Sequence, residues 1–302
     1  MKTLISIVGT TGIGKTKLAI DLAKHFSTEI ISCDSRQFFR KMEIGTAAPT
    51  AEELAQVPHH FVGNLDVTDD YSIGRFETDA LAKLDELFVK FPVVVMVGGS
   101  MMYEKALISG LNDLPEANEE NQDKLQSIWD EQGLEGLQTI LKNLDEAYYQ
   151  KVDLENPRRL LRAIDVSWQT GKKYSDLIEE PKAKRDFSVI RIGIEAPREI
   201  IYERINKRVD MMLEKGLLDE VKALVDFQKL VALNTVGYSE IFKFLNHEWS
   251  LEFAVQEVKK NSRRFAKRQL TWYRKETDIN WVNYQNSLQE SLSLLKKLNY
   301  SL

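Results

Sequence analysis

The stretch that most limits what this chain can become lies at its start. A short apolar run, Leu4-Ile5-Ser6-Ile7-Val8, leads into Gly9-Thr10-Thr11-Gly12-Ile13-Gly14-Lys15-Thr16. The next residues, 17–24, carry apolar side chains at 18, 19, 22 and 23, which is helical spacing. The order is therefore strand, glycine-rich loop, helix. The loop fits the spacing G-x-x-x-x-G-K-[ST] of a P-loop. Such a loop turns backbone N–H groups inward around a polyphosphate, and the following helix adds the positive end of its dipole. Residues Gly9, Thr10, Thr11, Gly12, Ile13, Gly14, Lys15 and Thr16 are the expected diphosphate cradle. Lys15 reaches the phosphates and Thr16 offers its hydroxyl to Mg²⁺. A glycine-rich turn that binds nothing is the bland alternative, and the flanking strand and helix weigh against it. ATP is the usual guess for such a loop, but the loop alone specifies only a diphosphate or something larger.

The rest of the chain repeats the strand and helix alternation. Glu29 to Cys33 reads as a second buried strand, His59 to Val62 as a third, and Val93 to Val97 as a central strand covered on both faces. Phe76 to Phe88 has helical period, and a helix follows Gly98-Gly99-Ser100. This pattern predicts an α/β fold with a P-loop-type parallel sheet flanked by helices. Near Asn112 the composition shifts. Residues 113–146 contain many acids and two bases, Lys124 and Lys142, and no strand-like run. Pro157 opens a helix, and Lys172 to Asp186 reads as a polar connector. Val189 to Ile194 then returns as a strand. The expected organisation is a catalytic core of residues 1–111 and 187–302, with a helical insertion at 112–186. From Arg198 the chain reads as helical to about Lys275, with a turn at 234–237, before a strand-like piece from Ile279 to Val282.

Length and composition bound the class. A chain of 302 residues, 43% apolar and 29% charged, is long enough for a sizeable core. No apolar run approaches the roughly 20 residues of a membrane span. The N-terminus runs straight into a strand, so no signal peptide and no membrane partner are expected. The single cysteine, Cys33, excludes an internal disulfide and fits a reducing cytoplasm. Its apolar run marks it as a buried thiol.

Chemistry is expected where the strands end. An ordinary P-loop NTPase carries an acid after a second apolar strand, for Mg²⁺ and the attacking water. Here the central strand ends in Gly98-Gly99-Ser100, and the acid, Asp34, follows the strand at 30–33. Carboxyl ends of parallel strands face the ligand crevice, so Asp34 and Ser100 should both flank the loop. Asp34 can be a metal ligand, a general base or the cap of a helix starting at Ser35. Ser100 can hydrogen-bond a ligand or cap its own helix. Arg198, Arg204, Lys207 and Arg208 lie on one helix, with Arg204 and Arg208 on a shared face. They are either a solvated surface or the extra cations that a leaving diphosphate would need. The net charge is −5, yet residues 259–275 are strongly basic with Phe265, Trp272 and Tyr273 interleaved. Arg264, Lys267 and Arg268 there form the electropositive footprint expected for an RNA backbone, unless the helix is simply a surface one with its aromatics on the core. His59-His60 does not read as a metal site, since neighbours on a strand point to opposite faces.

Over nearly its whole length the chain resembles the tRNA dimethylallyltransferase (tRNA isopentenyltransferase) family. The loop Gly9–Thr16 is similar to that family's diphosphate loop, with Thr10 where proline is usual. Asp34-Ser35-Arg36-Gln37-Phe38-Phe39-Arg40 resembles D-S-x-Q-x-Y-R, and Ile44 to Pro49 resembles I-G-T-A-K-P with Ala48 for lysine. Val57-Pro58-His59-His60, Val97 to Tyr103, Asn156 to Ala163, Arg208 to Met212, Val236-Gly237-Tyr238 and Ala266 to Arg274 complete the ordered set. An insertion position that is usually arginine is Gln122. The resemblance implies transfer of a dimethylallyl group from dimethylallyl diphosphate to N6 of adenosine 37, beside the anticodon. It makes Asp34 the base that takes the N6 proton and Ser100 the hydroxyl near the reacting groups. Lys15, Thr16 and Arg208, with Mg²⁺, would hold the diphosphate, giving Asp34, Ser100 and Arg208 as catalytic residues. Asp34, Ser35, Arg36, Gln37, Ser100, Arg158, Arg159, Arg162, Gly237 and Tyr238 would touch the anticodon stem-loop, together with the basic helix.

This reading explains the missing acid after Val97, because a diphosphate leaves from carbon and no phosphoryl group is transferred. Two other readings stay open at this point: a P-loop kinase of a nucleotide or small molecule, and a noncatalytic RNA-binding protein. A monomer is expected.

Overall fold

The computed structural model describes residues 2–179 and 184–298. Six strands form one parallel sheet: β1 (Thr3–Gly9), β2 (Ile30–Ser32), β3 (His59–His60), β4 (Val93–Val97), β5 (Ser188–Glu195) and β6 (Ile279–Asn283). Their spatial order is β3-β2-β4-β1-β5-β6. β1 is buried along its length because it lies between β4 and β5, with Ile5 opposite Val95 on one side and Ile190 on the other. Strands covered on both faces need apolar residues in both alternations, which is why β1 and β4 read as unbroken hydrophobic runs.

The two alternations feed two cores. On one face Ile5, Ile7, Val95 and Ile192 pack with Leu18 and Leu22 of the Lys15–His25 helix and with Ile201 and Ile205 of the Arg198–Glu214 helix. On the other, Leu4, Val94 and Met96 pack with Phe76 and Leu84 of the Ile73–Lys90 helix and Leu107 of the Met101–Ser109 helix. Ser6 and Arg191 are polar residues of the central strands that share one partner. Glu104, 1% exposed, accepts from Ser6 Oγ at 2.9 Å and from Arg191 Nε and Nη2 at 2.9 and 3.0 Å. Arg191, 3% exposed, also donates to Asp278 at 2.8 Å, so the buried charges are paired and hydrogen-bonded.

The chain divides into two compact units, Met1–Ile108 with Arg185–Leu302, and Ser109–Lys184. The second unit is all helical among the described residues. Its Glu119–Leu144 helix is broken at Gly133 and packs Leu125, Leu137 and Leu141 against Leu160, Ala163 and Ile164 of the Pro157–Thr170 helix. The buried Asp165 accepts from Asn121 Nδ2 at 2.9 Å and Gln169 Nε2 at 3.0 Å.

Three expectations from sequence differ from what is observed. The connector expected from Lys172 contains a helix, Tyr174–Glu179, and its residues 180–183 lie outside the described ones. The Asp145 carboxylate explains the helix, accepting from the backbone and hydroxyl of Ser175 at 2.7 and 2.9 Å. The helical stretch after Arg198 is interrupted more often than the single turn at 234–237. It comprises Arg198–Glu214, Leu217–Lys222, Tyr238–Leu245 and Leu251–Tyr273, with two 3₁₀ turns between the second and third. No helix starts at Ser35. Residues 35–38 form a turn, and Asp34 Oδ1 accepts from Arg36 N at 3.2 Å, so Asp34 caps a turn and not a helix.

Candidate active site

Parallel strands bring their carboxyl ends to one edge, and that edge holds the site. β1 ends in the loop, β2 in Asp34, and β4 in Gly98-Gly99-Ser100. Gly14 takes φ +108° directly before the helix at Lys15, a left-handed conformation that a side chain would strain. Gly99 is required for a different reason. A Cβ there would lie 2.8 Å from Asp34 Oδ2 and 3.2 Å from Gln269 Nε2, so only glycine lets the β4 end pass so close to the carboxylate.

A cavity of about 430 Å³ opens over the loop. Thr11, Gly12, Gly14, Lys15 and Thr16 line its floor, and Asp34, Gly98 and Gly99 one wall. Arg204, Lys207 and Arg208 line it as well, with Arg208 half-buried and Arg204 and Lys207 on the exposed rim of the Arg198–Glu214 helix. Arg208 donates to Thr11 Oγ1 at 3.3 Å and to Thr46 O at 3.2 Å. Arg204 donates to Ile13 O at 3.1 Å and stacks over the Tyr284 ring at 4.8 Å. Arg198 stands apart, over the Tyr202 ring at 4.9 Å.

Lys15 Nζ donates to Thr10 O at 2.8 Å. Burial pulls its ammonium down to about 8, with Arg208 adding to the effect and Asp34 opposing it. Burial likewise lowers Arg208, which Asp34 and Glu53 oppose. Lys15, Arg204, Lys207 and Arg208 outnumber the Asp34 and Glu53 carboxylates in this cavity, which suits it to a polyanion.

The other expected residues are placed as follows. Ser100 does not line the cavity. Its Oγ accepts from Ser35 N at 2.9 Å and shares a hydrogen bond with Ser35 Oγ at 2.9 Å, tying the β2 turn to the β4 end. Gln37 lines the cavity and donates to Thr46 O and Ala47 O at 3.2 and 3.1 Å. The Arg36 guanidinium donates to Val231 O and Ala232 O at 2.9 and 3.0 Å, so it braces the segment at 231–234. Tyr238, expected at the RNA, is fully buried, and its hydroxyl donates to Glu220 Oε1 at 2.6 Å. Glu220 in turn accepts from Ile44 N and Gly45 N at 2.7 and 2.8 Å, holding the loop against which Arg208 and Gln37 rest. Gly237 takes φ +98° just before that helix. In the helical unit, Arg158 and Arg159 are exposed, whereas Arg162 donates to Pro115 O at 2.7 Å. On the Leu251–Tyr273 helix, Arg264, Lys267 and Arg268 are exposed, and Lys267 and Arg268 share a groove with Trp272. Cys33 is buried, and burial pushes its thiol well up.

Three lining residues escaped the sequence reading. His59 faces the cavity, donating from Nδ1 to Val57 O at 2.8 Å, with Nε2 buried and unpartnered among the described residues; burial holds its imidazole below the usual range. The V-P-H-H pattern named the residue without giving its direction. Glu53 lines the rim from a capping box with Thr50. Gln269, fully buried, lies between the loop and β4.

A phosphate-type loop at the carboxyl edge of a parallel sheet, faced by arginines and by the Asp34 carboxylate, defines a P-loop-type α/β protein whose second strand supplies the acid. Comparison with known proteins then sets it among its relatives. The chain belongs to the IPP transferase family, whose family model matches residues 37–276. It is 50% identical over 284 residues to a tRNA dimethylallyltransferase of Christiangramia forsetii, covering 94% of each chain. It is 45% identical over 301 residues to a tRNA dimethylallyltransferase of Flavobacterium psychrophilum, covering 98% of each. Among solved structures, a tRNA isopentenylpyrophosphate transferase from Bacillus halodurans matches with a TM-score of 0.72 at 32% identity, over all of both chains. A eukaryotic dimethylallyltransferase acting on tRNA matches with a TM-score of 0.86 at 26% identity, over all of this chain and 81% of that one. The kinase alternative is not favoured by this set. Among the described residues, no helix is long and apolar enough to cross a membrane.

Proposed function

We propose that this enzyme transfers a dimethylallyl group from dimethylallyl diphosphate to N6 of adenosine 37 in tRNA and releases diphosphate. The observation that carries the reading is one cavity lined by the loop, Lys15, Arg208 and Asp34, at a sheet edge where β4 ends without an acid. N6 forms a bond to the allylic carbon as the carbon–oxygen bond to diphosphate breaks. Asp34 accepts the N6 proton, since an aromatic amine is a weak nucleophile and gains from a base. Lys15, Arg208 and the loop amides neutralise the departing diphosphate. Ser100 supports this through Ser35, by fixing the turn that carries Asp34.

Thr16 and Asp34 line the same cavity, a hydroxyl and a carboxylate. The Thr16 hydroxyl would hold Mg²⁺, which keeps several waters and takes further oxygens from substrate phosphates, leaving Asp34 free as the base. When bound, Mg²⁺ would supply further charge neutralisation on the diphosphate.

Adenosine 37 must leave its stack to reach the cavity. The anticodon stem-loop would be gripped by Arg264, Lys267 and Arg268, and by Arg158 and Arg159 of the insertion, whose cations suit a phosphate backbone. The enzyme acts in the cytoplasm as a monomer, which light scattering at 34.8 kDa would verify. The deciding experiment combines purified protein, Mg²⁺, dimethylallyl diphosphate and unmodified tRNA, with mass analysis of the nucleosides. A prenylated adenosine is expected. Its absence, or phosphate transfer from labelled ATP, would overturn the reading.

A further inference from the structure

Gln269 belongs to the run Ala266 to Arg274 that marked the basic helix, yet its side chain does nothing at the surface. Its Oε1 accepts from Thr11 N at 2.9 Å, and its Nε2 donates to Gly99 O at 2.8 Å. A donor at one end and an acceptor at the other fix the orientation of the carboxamide. Thr11 N belongs to the same peptide unit as Thr10 O, the acceptor of the Lys15 ammonium. One peptide plane is therefore clamped from both sides, by Gln269 on its N–H and by Lys15 on its carbonyl. On the other side, Gln269 Nε2 and Asp34 Oδ2 flank Gly99, each within about 3 Å of where its Cβ would be.

Two consequences follow from elementary chemistry. An amide already held by a buried carboxamide is not free to donate to a phosphate, so this loop offers the diphosphate one N–H fewer than its glycine spacing suggests. A peptide that cannot flip also keeps its carbonyl toward Lys15, which fixes where the ammonium rests when no diphosphate is present. We propose that Gln269 is a positioning residue for the transfer, holding the Thr10–Thr11 peptide that seats Lys15 and the Gly99 wall that faces Asp34. The inference rests on the diphosphate reading of the cavity and adds to it a residue that touches neither substrate.

The test pairs a variant with a measurement on the unaltered protein. Gln269→Met keeps the volume and removes both hydrogen bonds. It should weaken binding of inorganic diphosphate by roughly tenfold, the scale of one net intramolecular hydrogen bond. Affinity for unmodified tRNA should stay within about twofold, since the exposed cations of the helix are untouched. Gln269→Glu keeps an acceptor for Thr11 but turns a carboxylate oxygen toward Gly99 O, so it should lose kcat more than diphosphate affinity. In the unaltered protein, the Thr11 amide should resist hydrogen exchange before diphosphate is added and resist it equally afterwards. A Thr11 amide that exchanges freely without diphosphate overturns the inference even if the variants fail to fold. So does unchanged diphosphate affinity in Gln269→Met, or a parallel loss of tRNA and diphosphate binding with a lowered Tm. An unaltered protein that binds no diphosphate while Thr11 stays protected would instead overturn the reading of the cavity.

Discussion

At the scale of single residues, Lys15 sets the pH response of the site. Burial lowers its ammonium to about 8, so the ligand-free enzyme loses this charge as pH rises through that value. A bound dianion stabilises the protonated form, and binding above pH 8 must therefore take up a proton. Affinity for diphosphate should fall as pH rises from 7 to 9, and Lys15→Arg should flatten the dependence. Titration calorimetry in buffers of different ionisation enthalpy would check both the slope and the proton uptake. Asp34 offers a cleaner split between chemistry and binding. Asp34→Ala should abolish transfer while sparing tRNA affinity, and single-turnover assays beside filter binding would show it; full activity would remove Asp34 as the base. The placement of both residues in the cavity was legible in the sequence, because a loop spacing and an acid at a strand end are local patterns. The inward turn of Arg36, Arg162 and Tyr238 was not. Each is drawn to carbonyls or a carboxylate supplied by residues 18 to 196 positions away, and no local pattern encodes that.

At the scale of elements, the Leu251–Tyr273 helix presents two faces of different character. Arg264, Lys267 and Arg268 are exposed, whereas Ala266, Gln269 and Tyr273 are buried. Replacing the three cations by alanine should weaken tRNA binding and flatten its salt dependence by roughly 0.7 to 0.9 for each phosphate no longer neutralised. The KM for dimethylallyl diphosphate should not change. Binding isotherms at several salt concentrations decide this. The neighbouring β5 owes its place to a different balance. Glu104 and Arg191 are almost wholly buried, so Arg191→Met would strand a carboxylate under the sheet, at a cost of about 3–5 kcal/mol. Urea unfolding should report that loss, and Glu104→Gln in the same chain should recover part of it. Sequence reading found β1 and β4 because two-sided burial writes itself as an unbroken apolar run. It passed over Tyr174–Glu179, since a six-residue helix held by one remote carboxylate leaves no periodic trace.

At the scale of the whole molecule, the helical unit is a single continuous segment, and the core is not. Arg185 donates to Ala106 O and Leu107 O at 2.8 and 2.9 Å and pairs with Glu77, so the points where the chain leaves and re-enters the core are close together. Replacing residues 109–184 by a short Gly-Ser linker should leave a folded core that binds diphosphate and has lost most of its tRNA affinity. Circular dichroism and the two binding assays would test this, and a core that keeps full tRNA affinity would remove the insertion from the RNA footprint. The division into core and insertion was legible as a change in composition near Asn112, because a helical unit rich in acids differs from strands that must be apolar.

The central place of β1 bears on how the protein is made. During synthesis β1 emerges first and pairs with β4 after about ninety residues, but β5, its other neighbour, follows only after residue 187. Until then one edge of an entirely buried strand has no partner, the condition that invites pairing with other chains. The insertion, a continuous segment with a core of its own, can fold during that interval. The core must wait for closure across nearly two hundred residues, which makes its assembly the slow step. A cell that makes this enzyme in quantity therefore has reason to shield the first hundred residues of every nascent chain.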